Sequence, residues 1–283
     1  MVATMSGSTY SGMVQGGGTY RSGPPATGTR AAVARRLVPV LLVCLLVACS
    51  GAGAGRGDGH GAAPGTAAAA HTPRRAAVPA PLARAGWKCL ASARPVLATV
   101  PAALPVAILG SSQRAVVLSD ESDENACSWL SLATTLAARG YRVILYDYTG
   151  DPRTNLTSIV AYVRGTGART IALVGASEGA KTSIVVAAGL SPPPDAVVSL
   201  SAEEVLQGTL VAPYAGKLRS ATLFVTAQDD PYGAEPASAA YYRSAPAATK
   251  QLLVRPGIEH GTELLSDPVV REALIDFLAS HDG

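Results

Sequence analysis

"IALVGASEGAKTS", running from Ile171 to Ser183, decides the fold. Its opening, "IALVG", is a continuous apolar run, the pattern of a strand buried on both faces of a parallel sheet. Its end reads as the start of a helix that continues to about Ala188. Between them, Gly175-Ala176-Ser177-Glu178-Gly179 fits G-x-S-x-G, a sharp strand-to-helix turn that exposes a serine hydroxyl. In a chain with 29 glycines the pentapeptide alone carries little weight, so the strand before it and the helix after it decide the reading. Gly175 and Gly179 lack side chains where helix and strand must approach closely, and Ser177 sits where the backbone is strained. The N–H of Glu178, in the first helical turn, has no intrahelical partner and can hold an oxyanion forming beside the serine.

The same alternation extends in both directions. "LPVAILG" and "RAVVLSD" read as short apolar strands joined by a turn through Ser111-Ser112-Gln113. A helix is expected from Ser128 to Arg139, with Ser128 as its cap and Gly140 as its stop. "YRVILYDY" (Tyr141–Tyr148) reads as a strand, and Asn155 or Thr157 as the cap of a helix running to about Arg164. Beyond the serine, "DAVVSLS" and "ATLFVTA" are strands, and Glu235 to Arg243 a helix. "KQLLVRPG" is the last strand and Pro268 to Ser280 the last helix. Apolar strands separated by helices predict an α/β domain, a mostly parallel central sheet covered on both faces. Only about twenty residues separate "DAVVSLS" from "ATLFVTA", too few for a large lid domain.

A serine hydroxyl needs a base. Of the four histidines, His60 and His71 lie in a Gly/Ala/Pro-rich stretch and His281 lies near the C-terminus. His260, in "VRPGIEHGTELL" between the last strand and the last helix, is therefore the candidate base. The group that orients its imidazole should be a carboxylate, and "ATLFVTAQDDPYG" offers Asp229 and Asp230 just past a strand end. No two histidines of the domain have metal-ligand spacing, and no calcium-loop pattern occurs, so neither a metal nor another cofactor is expected.

From about Cys89 onward the chain resembles α/β-hydrolases of the small, dienelactone-hydrolase-like branch. "ACSWLSLATTLAARGYRVILYDYTG" resembles that family's first helix and following strand, and "VGASEGA" resembles its elbow. "VVSLSAEE" resembles the next strand, "FVTAQDDPYG" the acid turn and "HGTELL" the histidine loop. The resemblance implies the α/β-hydrolase fold and a Ser-Asp-His order in the chain. It makes Ser177 the nucleophile and His260 the base, and an aspartate just before proline favours Asp230 over Asp229 as the orienting acid. It also implies an oxyanion hole formed by the N–H groups of Glu178 and Glu121. Dienelactone hydrolase itself uses a cysteine, so Ser177 points to ordinary ester hydrolysis. One departure stands out: Ser119-Asp120 and then "ESDEN" replace the His-Gly of many relatives. Negative charge crowded there would disfavour anionic substrates, unless the loop is solvated and turned away. The expected substrate is a small neutral or cationic ester. The alternative is a domain that keeps the fold as a binding or envelope-interaction module with an inactive site.

The N-terminal part reads differently. Arg30, Arg35 and Arg36 precede the apolar run "LVPVLLVCLLVAC", Leu37 to Cys49, which has signal-peptide length and is short for a membrane-spanning helix. Its end, Leu46-Val47-Ala48-Cys49, resembles the lipobox of bacterial lipoproteins, which implies a lipid on Cys49; the alternative is an ordinary secretory signal. The expected organisation is a signal peptide over 1–49, a disordered Gly/Ala/Pro-rich tether over 50–86 and the hydrolase-like domain over 87–283. The lipid membrane is then a partner, and the domain an exported one held at the outer face of the cell membrane. Cys89 and Cys127 remain in the domain, where export favours a disulfide over two separate thiols. Without the four arginines of residues 1–49, 19 basic residues face 20 acidic ones, and no basic cluster marks a nucleic-acid surface.

Overall fold

The structure, a computed structural model, describes residues 80–101 and 104–281. The expected signal peptide, Cys49 and the tether as far as residue 79 lie outside the described residues.

The first described element, helix α1 (Ala80–Arg84), falls within the stretch expected to be tether. Its Leu82 is buried with Trp87 and Leu90, so the packed part of the chain begins ahead of Gly86. A 3-10 helix over Lys88–Ala93 follows, and a disulfide joins its Cys89 to Cys127 with the Cα atoms 5.9 Å apart. Closing a loop of 38 residues restricts the unfolded chain and is worth about 4 kcal/mol.

Strands β1 (Val96–Val100), β2 (Leu104–Leu109), β3 (Arg114–Ser119), β4 (Arg142–Leu145), β5 (Thr170–Ala176) and β6 (Ala196–Leu200) come next in the chain. A small hairpin follows, β7 (Val205–Leu206) with β8 (Thr209–Leu210), and then β9 (Ala221–Ala227) and β10 (Lys250–Arg255). Eight of these form one sheet in the order β1-β2-β4-β3-β5-β6-β9-β10. From β4 to β10 all neighbours are parallel; β2 alone runs the other way, pairing antiparallel with both β1 and β4. The central strands alternate sides. Val116 and Leu118 of β3 face one core layer with Trp129 and Leu274, while Ala115 and Val117 face the other with Ile159 and Ile184. Both faces are apolar, which explains the unbroken runs in the sequence.

Helix α2 (Leu130–Ala138) and, late in the chain, α7 (Pro268–Ala279) cover one face. Helices α3 (Pro152–Gly165), α4 (Glu178–Gly189) and α6 (Ala234–Ser244), with the short α5 (Ala212–Ala215), cover the other. β4 lies between β2 and β3, because the crossover through α2 returns the chain beside β3. The expected helix caps change in detail. Ser128 gives its hydroxyl to Asp120 instead of capping α2. Asp151 caps α3 by accepting from the Arg153 N–H, ahead of Asn155 and Thr157. Asn155 instead clips the preceding turn, accepting from the Thr149 N–H and donating to the Thr149 carbonyl. Among the described residues no helix is long and apolar enough to cross a membrane.

Candidate active site

Parallel strands send their C-terminal ends to one edge, and every candidate residue stands on a loop leaving that edge. Glu121 follows β3, Ser177 follows β5, Asp230 follows β9 and His260 follows β10. Ser177 is the junction itself, with φ 48° and ψ −112°. Its N–H donates to the Leu200 carbonyl at the end of β6, and its own carbonyl accepts the first helical bond, from the Lys181 N–H. A Cβ on Gly175 would strike the Gly179 carbonyl, and one on Gly179 would strike the Ser119 carbonyl. Both glycines of the motif are thus required by close approach of α4 to the sheet. The N–H of Glu178 lies in the first turn of α4, and its carboxylate accepts from the Gln207 side chain at 3.0 Å.

Asp230 and His260 meet. The imidazole Nδ1 is 2.8 Å from Asp230 Oδ2, while Asp230 Oδ1 accepts from the Tyr232 N–H at 2.9 Å. Asp230 is buried; Asp229 beside it is exposed and gives its N–H to the Gly257 carbonyl. The Tyr232 ring lies against the imidazole, with centroids 4.5 Å apart. His260 heads a 3-10 helix over Gly261–Ser266, where Glu263 reaches back to the His260 N–H.

Glu121 ties the acidic loop to the histidine loop. Its carboxylate accepts from the Thr262 N–H at 2.8 Å and from the Thr262 hydroxyl at 2.6 Å. Gly261, with φ +57°, leaves room for it, since a Cβ there would run into that carboxylate. Asp120 turns inward and is 1 % exposed. Burial, then repulsion from Asp147 and Glu121, outweighs the hydroxyl of Ser128 and raises its carboxyl to about 8. Of this acidic loop, Glu121, Asp123 and Glu124 line an open cleft of about 620 Å³ with Ser177 and His260.

The hydroxyl of Ser177 does not go to the histidine. It donates to Glu203 Oε1 at 3.1 Å, and the same oxygen lies 3.5 Å from His260 Nε2. Glu203 Oε2 is 2.7 Å from Lys181 Nζ, a close ion pair rather than a well-aligned hydrogen bond. Burial opposes the charge on Glu203, but His260 and Lys181 win and draw its carboxyl down to about 2. Burial likewise opposes charge on His260, yet Glu203 and Asp230 raise it to about 8. At neutral pH the imidazole is therefore mostly a cation. Among the described residues no group of three or more His, Cys, Asp and Glu side chains is placed to hold a metal ion.

No protein-family model matches the sequence, and no curated protein is similar to it in sequence. Solved structures are similar in fold. An esterase of Pyrococcus furiosus superposes with a TM-score of 0.58 at 14% identity, over 67% of this chain and 93% of the esterase. A monoacylglycerol lipase of Paleococcus ferrophilus gives 0.56 at 16% identity, over 63% and 99% of the two chains. An enol-lactonase of Burkholderia xenovorans gives 0.54 at 12%, over 65% and 100%. The chain has the α/β-hydrolase fold.

Within that α/β-hydrolase fold, three further residues lie close to Ser177 and His260. Lys181 had a local signal, since a residue four after the serine on a helix shares its face. Tyr232 follows the acid turn by two residues and had none. Glu203 was hidden in "SAEE", because only the tertiary arrangement brings the loop after β6 across the serine. Ser201, at φ 56°, makes that turn, and the Tyr241 hydroxyl holds the Glu203 carbonyl at 2.8 Å.

Proposed function

We propose that this protein is a serine-dependent hydrolase of small esters. The observation that carries the reading is the convergence of Ser177 on its strained turn with the Asp230–His260 pair, at one edge of the sheet. Ser177 Oγ attacks the ester carbonyl and its proton passes to His260 Nε2. Asp230 orients the imidazole and stabilises its cation. The oxyanion is held by the N–H groups of Glu178 and Glu121. The imidazolium then protonates the leaving alkoxide as the C–O bond breaks. Water, deprotonated by the same imidazole, attacks the acyl-serine, and the acid leaves with Ser177 reprotonated. The esterase, lipase and lactonase among the structurally similar proteins favour acyl chemistry at a C–O bond.

Five carboxylates, Glu121, Asp123, Glu124, Glu203 and Glu263, line the cleft with one lysine, Lys181. Such a lining disfavours anionic substrates and favours neutral or cationic ones. The cleft is open and among the described residues no large lid covers it, which favours short acyl chains. Residues 1–49 are read as a lipoprotein signal and Cys49 as lipid-bearing, so the hydrolase works tethered at the outer face of the cell membrane. That anchor is checked by the mass of the mature N-terminus, where an unmodified Cys49 would remove it. The second reading, an inactive binding module, is favoured by one contact, the Ser177 hydroxyl bonded to Glu203 in place of His260.

Hydrolysis of p-nitrophenyl esters of increasing chain length separates the two. The expected outcome is turnover of acetate and butyrate esters above dodecanoate, abolished in Ser177→Ala. Equal rates for wild type and Ser177→Ala would remove the serine from the chemistry.

A further inference from the structure

The Glu203 carboxylate occupies a place that the proposed reaction does not use. One of its oxygens receives the nucleophile's hydroxyl and faces the imidazole, while the other pairs with Lys181. Glu203 is also built in. Its carbonyl is fixed by Tyr241, the strained turn at Ser201 precedes it, and the hairpin after it is tied to Glu178 through Gln207. With the backbone held, what remains free to move is the side chain.

We propose that Glu203 is a second carboxylate of the catalytic centre, a latch that keeps the Ser177 hydroxyl and the His260 imidazole from bonding each other until it swings aside. The proposal rests on the hydrolase reading and deepens it. In the latched state the hydroxyl points its proton at a carboxylate too weakly basic to take it, since Glu203 sits near 2. The imidazole is meanwhile held as a cation by carboxylates on both sides, Glu203 at Nε2 and Asp230 at Nδ1. A cationic imidazole cannot accept the serine proton. When His260 loses its proton, its attraction for Glu203 ends, and the carboxylate is left with Lys181 alone. Nε2 then becomes an acceptor for the Ser177 hydroxyl. No bond between heavy atoms changes in this step; one proton leaves His260 for solvent.

The other groups facing the imidazole do not supply this control. The Tyr232 ring lies tilted against the imidazole, with centroids 4.5 Å apart, and brings no carboxylate to it. Glu263 is turned to the His260 backbone and Glu121 to Thr262. Asp123 and Glu124 are exposed on the cleft wall, where water screens them. Lys181 repels the imidazolium from beyond Glu203, so removing either member of that pair should move His260 in opposite directions.

The test uses the full chain and two readouts. The first is the NMR titration of the His260 imidazole, assigned against His260→Gln; the second is kcat/KM for p-nitrophenyl acetate across pH. In wild type both should rise with a midpoint near 8. In Glu203→Gln the midpoint should fall by about one pH unit, with the acid limb following and the rate at pH 6.5 rising up to about tenfold. In Lys181→Met the midpoint should rise. An unchanged midpoint in Glu203→Gln overturns the latch, as does loss of activity at every pH in that variant alone. If wild type hydrolyses nothing, the hydrolase reading fails instead, and the NMR midpoint still decides whether Glu203 holds the imidazole. Thermal melts identify a variant that does not fold, and Glu203→Ala then stands in for Glu203→Gln.

Discussion

Asp120 is a single side chain whose protonation reaches the stability of the fold. In the unfolded chain its carboxyl ionises near 3.8, whereas burial in the folded protein keeps the proton on to about 8. The folded state therefore binds more protons than the unfolded one in that window, and stability falls as pH rises through it. His260 has the same sign: its raised value stabilises fully below about 6.5, and that gain is gone above about 8. Asp120→Asn removes the ionising group but keeps an acceptor for the Ser128 hydroxyl. We expect it to raise stability at pH 8 by at least about 1 kcal/mol, or about 2–4 °C in Tm. The gain should shrink towards pH 4. A gain that does not depend on pH would show that Asp120 is not held neutral. At this scale Ser177 and His260 were legible from local pattern, as an elbow serine and the domain's one candidate base; the strand-end turn offers Asp229 and Asp230 alike, and only the family resemblance favours Asp230. Glu203 belongs to no such pattern. It faces the serine through the fold of a separate loop, and a single sequence does not encode that contact locally.

The elements follow from apolar runs and their breaks, and the elbow is where two of them press hardest. Helix α4 meets the ends of β3 and β5 with no side chain between, at Gly179 and Gly175. Neither backbone can yield without dislocating the centre of the sheet. Gly179→Ala should therefore destabilise by about 3 kcal/mol, at the upper end of the range for overpacking, as read from urea melts. Gly189→Ala, at the far end of the same helix where nothing lies within 4 Å, should leave the midpoint nearly unchanged. Equal effects at both positions would contradict the close approach. Strands β3, β5, β6 and β9 were legible as largely apolar runs. The helix starts were less so, because Ser128 and Asn155 spend their side chains on Asp120 and on the Thr149 backbone. The edge strand β1 and the small hairpin carry no such signal. Val96 of β1 and Val205 of β7 are exposed, so neither strand shows a buried apolar pattern.

For the molecule as a whole, direction matters more than any single contact. Six parallel strands bring the loops after β3, β5, β6, β9 and β10 to one edge, where Ser177, Asp230 and His260 gather, as their strand-end positions and the family resemblance lead one to expect. The pairing order was less legible, since β4 inserts between β2 and β3 by a crossover that leaves no mark in either strand. The charge of the site was only partly legible. The acidic loop does reach the cleft, yet its most buried member is neutral and Glu121 is engaged with Thr262. The central claim is that this arrangement makes Ser177 a nucleophile. It is tested most directly by treating the full chain with a fluorophosphonate at pH 8.5 and mapping the adduct by mass spectrometry. The expected result is a single phosphonyl adduct on the peptide containing Ser177, absent from Ser177→Ala and slower to form below pH 8. No adduct under conditions that label a control serine hydrolase, or an adduct that persists in Ser177→Ala, would contradict it.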